Sequence, residues 1–222
     1  MYFLTQKLEL LDVPGEWFFD HESPSNTVYY MPRDGRDPND LNIRMKTQPY
    51  AILCSDDDGV VVEGFDYFAT TFRLDDCDGS EIRNSTLLYP STSKRSLGYA
   101  GEDMDNRHVS RVDDCIGCLV DRCDFLYTDG AAFEAHGGAS SSQNNTINNS
   151  YFYHIDWSGS DQKSLMTTIM MDGTTNRFTN NTMHKTGTSA TIRIGNAPQI
   201  MFNDIYDTAY IQSDGTVVQM MQ

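Results

Sequence analysis

The sequence predicts an all-β chain wound as a parallel β-helix, a solenoid of stacked coils. Two observations carry that prediction. An apolar residue is followed three positions later by a small or polar residue, and five positions later by a second apolar residue. This occurs at Val62-Phe65-Tyr67 (with Phe65 as an imperfect middle member), Ile82-Ser85-Leu87, Val120-Cys123-Phe125, Ile147-Ser150-Phe152, Phe178-Asn181-Met183 and Ile200-Asn203-Ile205. In addition, Gly59, Gly79 and Gly117 each stand three residues ahead of the first apolar position, so the preceding turn recurs with the unit. The intervals are uneven, but the two shortest approach the ~20–29 residues that one solenoid repeat needs. Short β-type runs are broken by Asn, Asp, Gly and Ser, with no sustained helical period, so each unit is a coil of strands. Such a coil buries its apolar face only by stacking on its neighbours.

Residues 1–50 depart from this pattern. Leu8–Asp20 and Val28–Met31 read as two strands around Asn26, followed by the turn-rich PRDGRDPND. The expectation is an irregular N-terminal cap over 1–50 and coils over 51–222, because the terminal repeat of a solenoid must cover one end of the core. Insertions are expected at Ser91–Arg107, Gly137–Asn145 and Trp157–Ser164, lying together along the rod. The strands ahead of each anchor, Ala131–His136, Thr167–Asp172, Thr188–Ile194 and Thr216–Met221, are expected to form one sheet.

The chain has 222 residues and a formal net charge of −16 from 16 basic and 32 acidic residues. That charge disfavours a nucleic-acid partner and suits a surface meeting cations or neutral sugars. No apolar run approaches the ~18 residues of a membrane span. The five cysteines, Cys54, Cys77, Cys115, Cys118 and Cys123, leave at least one unpaired within the chain. Cys115 and Cys118 form a CxxC, but no second CxxC or His pair completes a zinc site. Cys77 and Cys115 stand five residues before their anchors and are expected to stack on adjacent coils, either as a disulfide or in a ladder of buried thiols.

Four N-x-S/T sequons occur, at Asn84, Asn144, Asn148 and Asn180, and favour a secreted glycoprotein at the cell surface or outside the cell. Asn84 and Asn180 share a repeat position expected to face inward, whereas Asn144 and Asn148 fall in the polar SSSQNNTINNS and are the better acceptors. The N-terminal MYFLTQK lacks the regions of a signal peptide, so the expectation is a mature piece or fragment.

Three acidic clusters, SDDDG, LDDCDG and VDDCIG, occupy equivalent places in successive coils. Asp58 is expected to stack on Asp78, Asp75 on Asp113, and Asp76 on Asp114, either splayed into water or bridged by Ca²⁺. Aligning Gly137, Gly173 and Gly195 puts Glu134 beside Met170, His136 beside Asp172, and Arg193 next to Met171. If the chain is an enzyme, these four residues, Glu134, His136, Asp172 and Arg193, are the candidates. Glu134 and Asp172 are the carboxyls a hydrolase would need; His136 and Arg193 are the base and uronate neutraliser of a lyase. His154 and Asp156 are a candidate hydrogen-bonded pair beside Trp157, whose ring would pack in a loop or stack on a sugar.

The segments GFDYFATTF with LLYPSTSKRSLG, NNTINNSYFYHIDWSGS, HKTGTSATIRIG and DTAYIQSDGTVVQ resemble right-handed parallel β-helix proteins of the pectate-lyase-like superfamily. LDVPGEWFFD with VYYMPRDGRDP is similar to the opening region of many secreted polysaccharide-active or surface β-helices. The resemblance covers nearly the whole chain and implies the right-handed fold. It does not choose an activity, since that superfamily holds lyases, hydrolases, epimerases and proteins without catalysis. Members usually continue with further coils after a QSDG-like segment. The function expected is a structural or surface β-helix that stacks on further coils or subunits, as in a filament. The alternative is a polysaccharide lyase or glycoside hydrolase working in the groove of one sheet.

Overall fold

The computed structural model describes residues 7–20, 24–91, 108–157, 167–187, 192–211 and 216–220. It divides into two compact units, Met1–Met45 and Lys46–Gln222. In the first, strands β1 (Trp17–Asp20) and β2 (Thr27–Tyr30) pair antiparallel, with Trp17 opposite Tyr30. Leu8–Leu10, read from the sequence as strand, is a 3₁₀ turn. The reason lies just beyond it, where the Glu16 carboxylate accepts the N–H groups of Asp12 and Val13 and turns the chain.

The second unit is a right-handed parallel β-helix of three sheets. Its first coil comprises β3 (Tyr50–Ser55), β4 (Val61–Glu63) and β5 (Asp66–Phe68), and its second β6 (Thr71–Asp75), β7 (Glu81–Arg83) and β8 (Thr86–Leu88). The third holds β9 (Ser110–Asp113), β10 (Leu119–Asp121) and β11 (Asp124–Leu126). The fourth holds β12 (Phe133–His136), β13 (Thr146–Asn148) and β14 (Tyr151–Ile155). The fifth holds β15 (Ile169–Thr174), β16 (Arg177–Thr179) and β17 (Thr182–Thr186). The sixth holds β18 (Ile192–Asn196), β19 (Gln199–Met201) and β20 (Asp204–Tyr206), after which β21 (Val218–Met220) begins another turn. The opening strand of each coil joins the first sheet, the middle one the second and the last one the third.

The repeat read from the sequence is the repeat of the structure. Val62, Ile82, Val120, Ile147, Phe178 and Ile200 are successive partners in the second sheet. Tyr67, Leu87, Phe125, Phe152, Met183 and Ile205 are successive partners in the third. Each three-residue strand of these two sheets points its central side chain inward, and Phe125 stacks on Phe152 at 4.8 Å. Burying one such side chain contributes about 1.5–3 kcal/mol.

Between the second and third sheets the chain turns through one residue of positive φ: Gly64, Asn84, Arg122, Asn149, Asn180 and Phe202. After Gly64 stands the exposed Phe65, but from the second coil onward the next residue turns inward, and its side-chain oxygen, where it has one, accepts a backbone N–H from the coil before it. Ser85 Oγ accepts from Phe65 (3.2 Å), Ser150 Oγ from Cys123 (3.2 Å), Asn181 Oδ1 from Ser150 (2.9 Å) and Asn203 Oδ1 from Asn181 (2.9 Å). The bend between the first and second sheets has its own ladder. There Ser80 accepts from Val60, Asn145 from Cys118 and Asn176 from Asn145. These side chains satisfy N–H groups that a tight corner removes from the strand pairing.

The expected insertions do not share one corner. Ser91–Arg107 and Trp157–Ser164 fall between the third and first sheets, whereas Gly137–Asn145 joins β12 to β13, between the first and second. Most of the first two lies outside the described residues. In the first sheet Arg193 pairs with Met170, not Met171. The glycine alignment slips by one because β15 is bulged between Met171 and Thr174, where Gly173 takes a φ of 100°.

Asn181 is buried and its side chain serves two backbone groups, the N–H of Ser150 and the C=O of Ile147. Asn181→Ala is expected to lower stability by roughly 2–4 kcal/mol, since each buried group left unsatisfied costs about 1–3 kcal/mol. Exposed Asn180→Gly, at positive φ, is expected to change it by less than about 0.5 kcal/mol. Urea unfolding followed by circular dichroism compares the two.

Candidate functional site

The residues expected to carry chemistry lie on the outer face of the first sheet. One outward row runs Leu53, Arg73, Arg111, Glu134, Met170, Arg193, Gln219 from coil to coil, and Asp75, Asp113 and His136 form the row beside it. Opposite charges meet within and across the coils. Arg73 lies 2.8 Å from Asp75 and 3.0 Å from Asp113, and Arg111 is 3.2 Å from Asp113. His136 Nε2 meets Glu134 Oε2 at 2.9 Å, and Arg193 meets Asp172 at 3.2 Å. The four candidates of the sequence therefore resolve into two pairs, Glu134 with His136 within β12 and Asp172 with Arg193 between β15 and β18.

Burial separates their roles. Glu134 is 1% exposed, whereas His136 is about one-third open to solvent with Glu134 beneath it. Asp113, the Cα partner of His136, is 4% exposed, and burial pushes its carboxyl above the usual range against the pull of Arg111, His136 and Arg73. Sequence reasoning missed Asp113, Arg73 and Arg111 as members of this face. Their signal was present in the alternation R-L-D and R-V-D at Arg73–Asp75 and Arg111–Asp113.

The acidic clusters form part of the corner between the first and second sheets. Asp58 Oδ1 accepts the N–H of Asp78 at 2.8 Å, and Asp78 Oδ1 accepts that of Ile116 at 2.7 Å. Asp76 and Asp114 are exposed at positive φ, and Asp114 accepts a hydrogen bond from Ser141. A cleft of about 480 Å³ lies among Ser55, Asp56, Asp75, Asp76, Asp114 and Ser141. Among the described residues no group of three or more His, Cys, Asp or Glu is arranged to hold a metal ion. One oxygen of each of the Asp58 and Asp78 carboxylates accepts a backbone N–H.

Cys77 and Cys115 are not joined. All five cysteines are buried free thiols, and Cys115 Sγ accepts the Cys77 N–H at 3.1 Å while donating to Asp113 O at 3.0 Å. In these positions sulfur does what Ser and Asn oxygens do elsewhere in the ladders. Burial pushes the Cys54 and Cys123 thiols up to about 11, so neither forms the reactive thiolate at neutral pH.

The sequons also differ from expectation. Asn84 and Asn180 do not face inward; they are exposed at positive φ, and the inward positions are the next residues, Ser85 and Asn181. Asn144 is exposed in a turn. Asn148 ends strand β13 rather than lying in a loop, and its amide donates to Asp121 and accepts from Thr179 and Asn180.

The third sheet carries a feature the sequence reading did not assemble. Phe68, Leu88, Leu126, Tyr153, His184 and Tyr206 form one outward column. The residues directly after it, Ala69, Tyr89, Tyr127, His154, Lys185 and Asp207, all have positive φ. Together they place aromatic rings edge to face, tilted or stacked on one another across six coils. His154 stacks on Trp157 at 4.3 Å, and Trp157 Nε1 donates to Lys185 O. Asp156 is wholly buried and accepts from Thr168 Oγ1.

Comparison of the chain with protein-family models, with curated proteins and with solved structures finds no match.

EDTA is expected to leave the melting temperature unchanged, because among the described residues no three carboxylate, His or Cys side chains converge on one point and one oxygen of each of Asp58 and Asp78 already accepts a backbone N–H. Asp78→Ala is expected to cost about 1 kcal/mol through the lost acceptor for Ile116. Differential scanning calorimetry checks both. Burial holds the imidazole of His154 below its usual range, and His108 is shifted the same way. The unfolded chain takes up those protons near pH ~6.5 while the folded chain resists. Stability is therefore expected to be full above that pH and to decline as pH falls below it. His154→Asn, which suits the positive φ, is expected to reduce the fall in melting temperature between pH 7.5 and 5.

Proposed function

We propose that the chain is a non-catalytic extracellular surface β-helix, related in kind to the pectate-lyase-like proteins it resembles, whose coils stack with further coils or subunits. One observation carries this reading. On the face of the first sheet each charged candidate is taken up by a neighbour: Arg73 and Arg111 by Asp113, Glu134 by His136, and Asp172 by Arg193. A hydrolase needs two carboxyls reaching a glycosidic bond, and Glu134, 1% exposed, stands beneath its histidine. Stacking is supported by the corner between the second and third sheets, where Ser85, Ser150, Asn181 and Asn203 each accept a backbone N–H from the coil before, a ladder that a coil from another copy would continue. Secretion is supported by exposed Asn84, Asn144 and Asn180 within sequons.

A second reading rests on the Glu134–His136 pair. A buried carboxylate holding an exposed imidazole by one nitrogen is the arrangement of an oriented general base. In that reading His136 withdraws the proton of a uronate sugar, and Arg193, released from Asp172, faces its carboxylate.

Incubation with a panel of neutral, uronate-containing and sulfated polysaccharides, followed by reducing-end and unsaturated-product assays, separates the two. The expected result is no turnover. Turnover of a uronate polymer that His136→Ala abolishes would establish the lyase reading instead.

A further inference from the structure

We propose that the aromatic ribbon of the third sheet, centred on Tyr89, Tyr127, Tyr153, His184 and Tyr206 with Trp157 beside it, is a binding track for a neutral oligosaccharide. The ribbon is continuous. Ring centroids are 5.8 Å apart for Phe68–Tyr89 and Tyr89–Tyr127, 5.4 Å for Tyr127–Tyr153, 4.9 Å for Tyr153–His184 and 4.6 Å for His184–Tyr206. A side branch runs from Tyr127 through His154 and Trp157 to Tyr210. With coils about 4.8 Å apart, the main run across six coils is about 24 Å long. That length suits a chain of sugars rather than a single one.

Four of the rings are exposed, Tyr89 at 47%, Tyr127 at 40%, Tyr206 at 43% and Tyr210 at 57%, and Tyr153, His184 and Trp157 between them are half-buried. Contiguous exposed aromatic surface with polar edges marks a contact site. Its placement is also conformationally unfavourable, because Tyr89, Tyr127 and His154 take positive φ, where Gly or Asn fits with less strain. A plain turn would be better served by those residues, and the neighbouring corner uses Gly or Asn for the same geometry at Gly64, Asn84, Asn149 and Asn180, with Arg122 and Phe202 as its other two members.

The chemistry of the edges selects the occupant. Tyr151 Oη meets His184 Nε2 at 2.6 Å, and Lys185 Nζ donates to Tyr153 Oη at 3.2 Å, so hydroxyl-binding groups line a row of ring faces. That combination matches a sugar, which presents C–H faces to the rings and hydroxyls to the edges. The outward column beside the rings carries Asp66, Asp124 and Asp204, and the chain bears a net charge of −16. An anionic polymer is repelled, and neutral glycan remains. This site is distinct from the charged face of the first sheet.

The test is isothermal titration of the full chain with cellohexaose, xylohexaose, mannohexaose and laminarihexaose, with polygalacturonate as the anionic comparison. Expected is saturable binding of at least one neutral hexasaccharide in preference to polygalacturonate. Tyr89→Asn plus Tyr127→Asn is expected to weaken it at least tenfold while the far-ultraviolet circular dichroism is kept, and His136→Ala is expected to leave it unchanged. Tyr206→Ala, outside the strained turns, provides a second variant that is expected to weaken it. Three results would overturn the proposal. These are no binding by any of the four sugars, binding that survives the Tyr variants or is abolished by His136→Ala, and self-association on analytical ultracentrifugation that the Tyr variants abolish without any sugar binding. Because titration reads binding and not product, its failure leaves the reading of the chain as a non-catalytic surface β-helix untouched.

Discussion

A coil of strands has to bend sharply between sheets, and each bend strips a backbone N–H of its partner in the strand pairing. The hydrogen bond from that N–H to a side chain one coil along is the interaction on which the rest of this solenoid depends. It explains why Ser85, Cys123, Ser150, Asn181 and Asn203 are small, polar or thiol-bearing and lie inside a core otherwise made of Phe, Ile, Leu and Met. An apolar residue at any of these places would leave an N–H buried without an acceptor. A long charged residue would not fit between the coils. The residue just before each of them turns through positive φ, so one position supplies the bend and the next satisfies it.

Once the corners are fixed, the three faces are free to differ. The first sheet carries ion pairs of Arg73 and Arg111 around Asp113, with His136 hydrogen-bonded to Glu134 beside them. The second presents mostly polar and charged side chains such as Thr146, Asn148 and Arg177. The third carries rings. Because each face is a set of columns with one residue per coil, a surface property is written as a run of equivalent positions rather than as a loop. The ring column and its positive-φ neighbour are adjacent in sequence, so two columns merge into one ribbon at little topological cost.

The repeat was legible because its signal is local. Val120-Cys123-Phe125 or Phe178-Asn181-Met183 contains an inward residue, the ladder member and a second inward residue, and nothing distant is needed to recognise them. Register between coils was less legible where the repeat is broken. The bulge at Gly173 displaced Arg193 by one position from the glycine-based alignment. Asn84 and Asn180 read as inward from the sequence because each stands directly beside a true ladder member, Ser85 or Asn181, and only the positive φ of the turn swings it out. The ion pairs and the ribbon depend on side chains brought together from coils 20 or more residues apart, at intervals made unequal by insertions. Glu134, His136, Asp172 and Arg193 were found individually, but their division into two pairs required the register.

A ladder of interchangeable Ser, Cys and Asn rungs has one weakness: it carries no address. Asn181 would accept the N–H of Ser85 as readily as that of Ser150, so the ladder alone cannot tell the winding chain which coil comes next. The irregular places can. At the bulge of β15, a Cβ on Gly173 would run into the backbone of Ser142, and one on Gly195 would run into Gly173. That three-coil contact accepts only the fourth, fifth and sixth coils in their native order. Together with the unequal loops, it works as a key that rejects a chain wound one coil out of step, so the departures from the repeat are what give a repetitive molecule a single native winding.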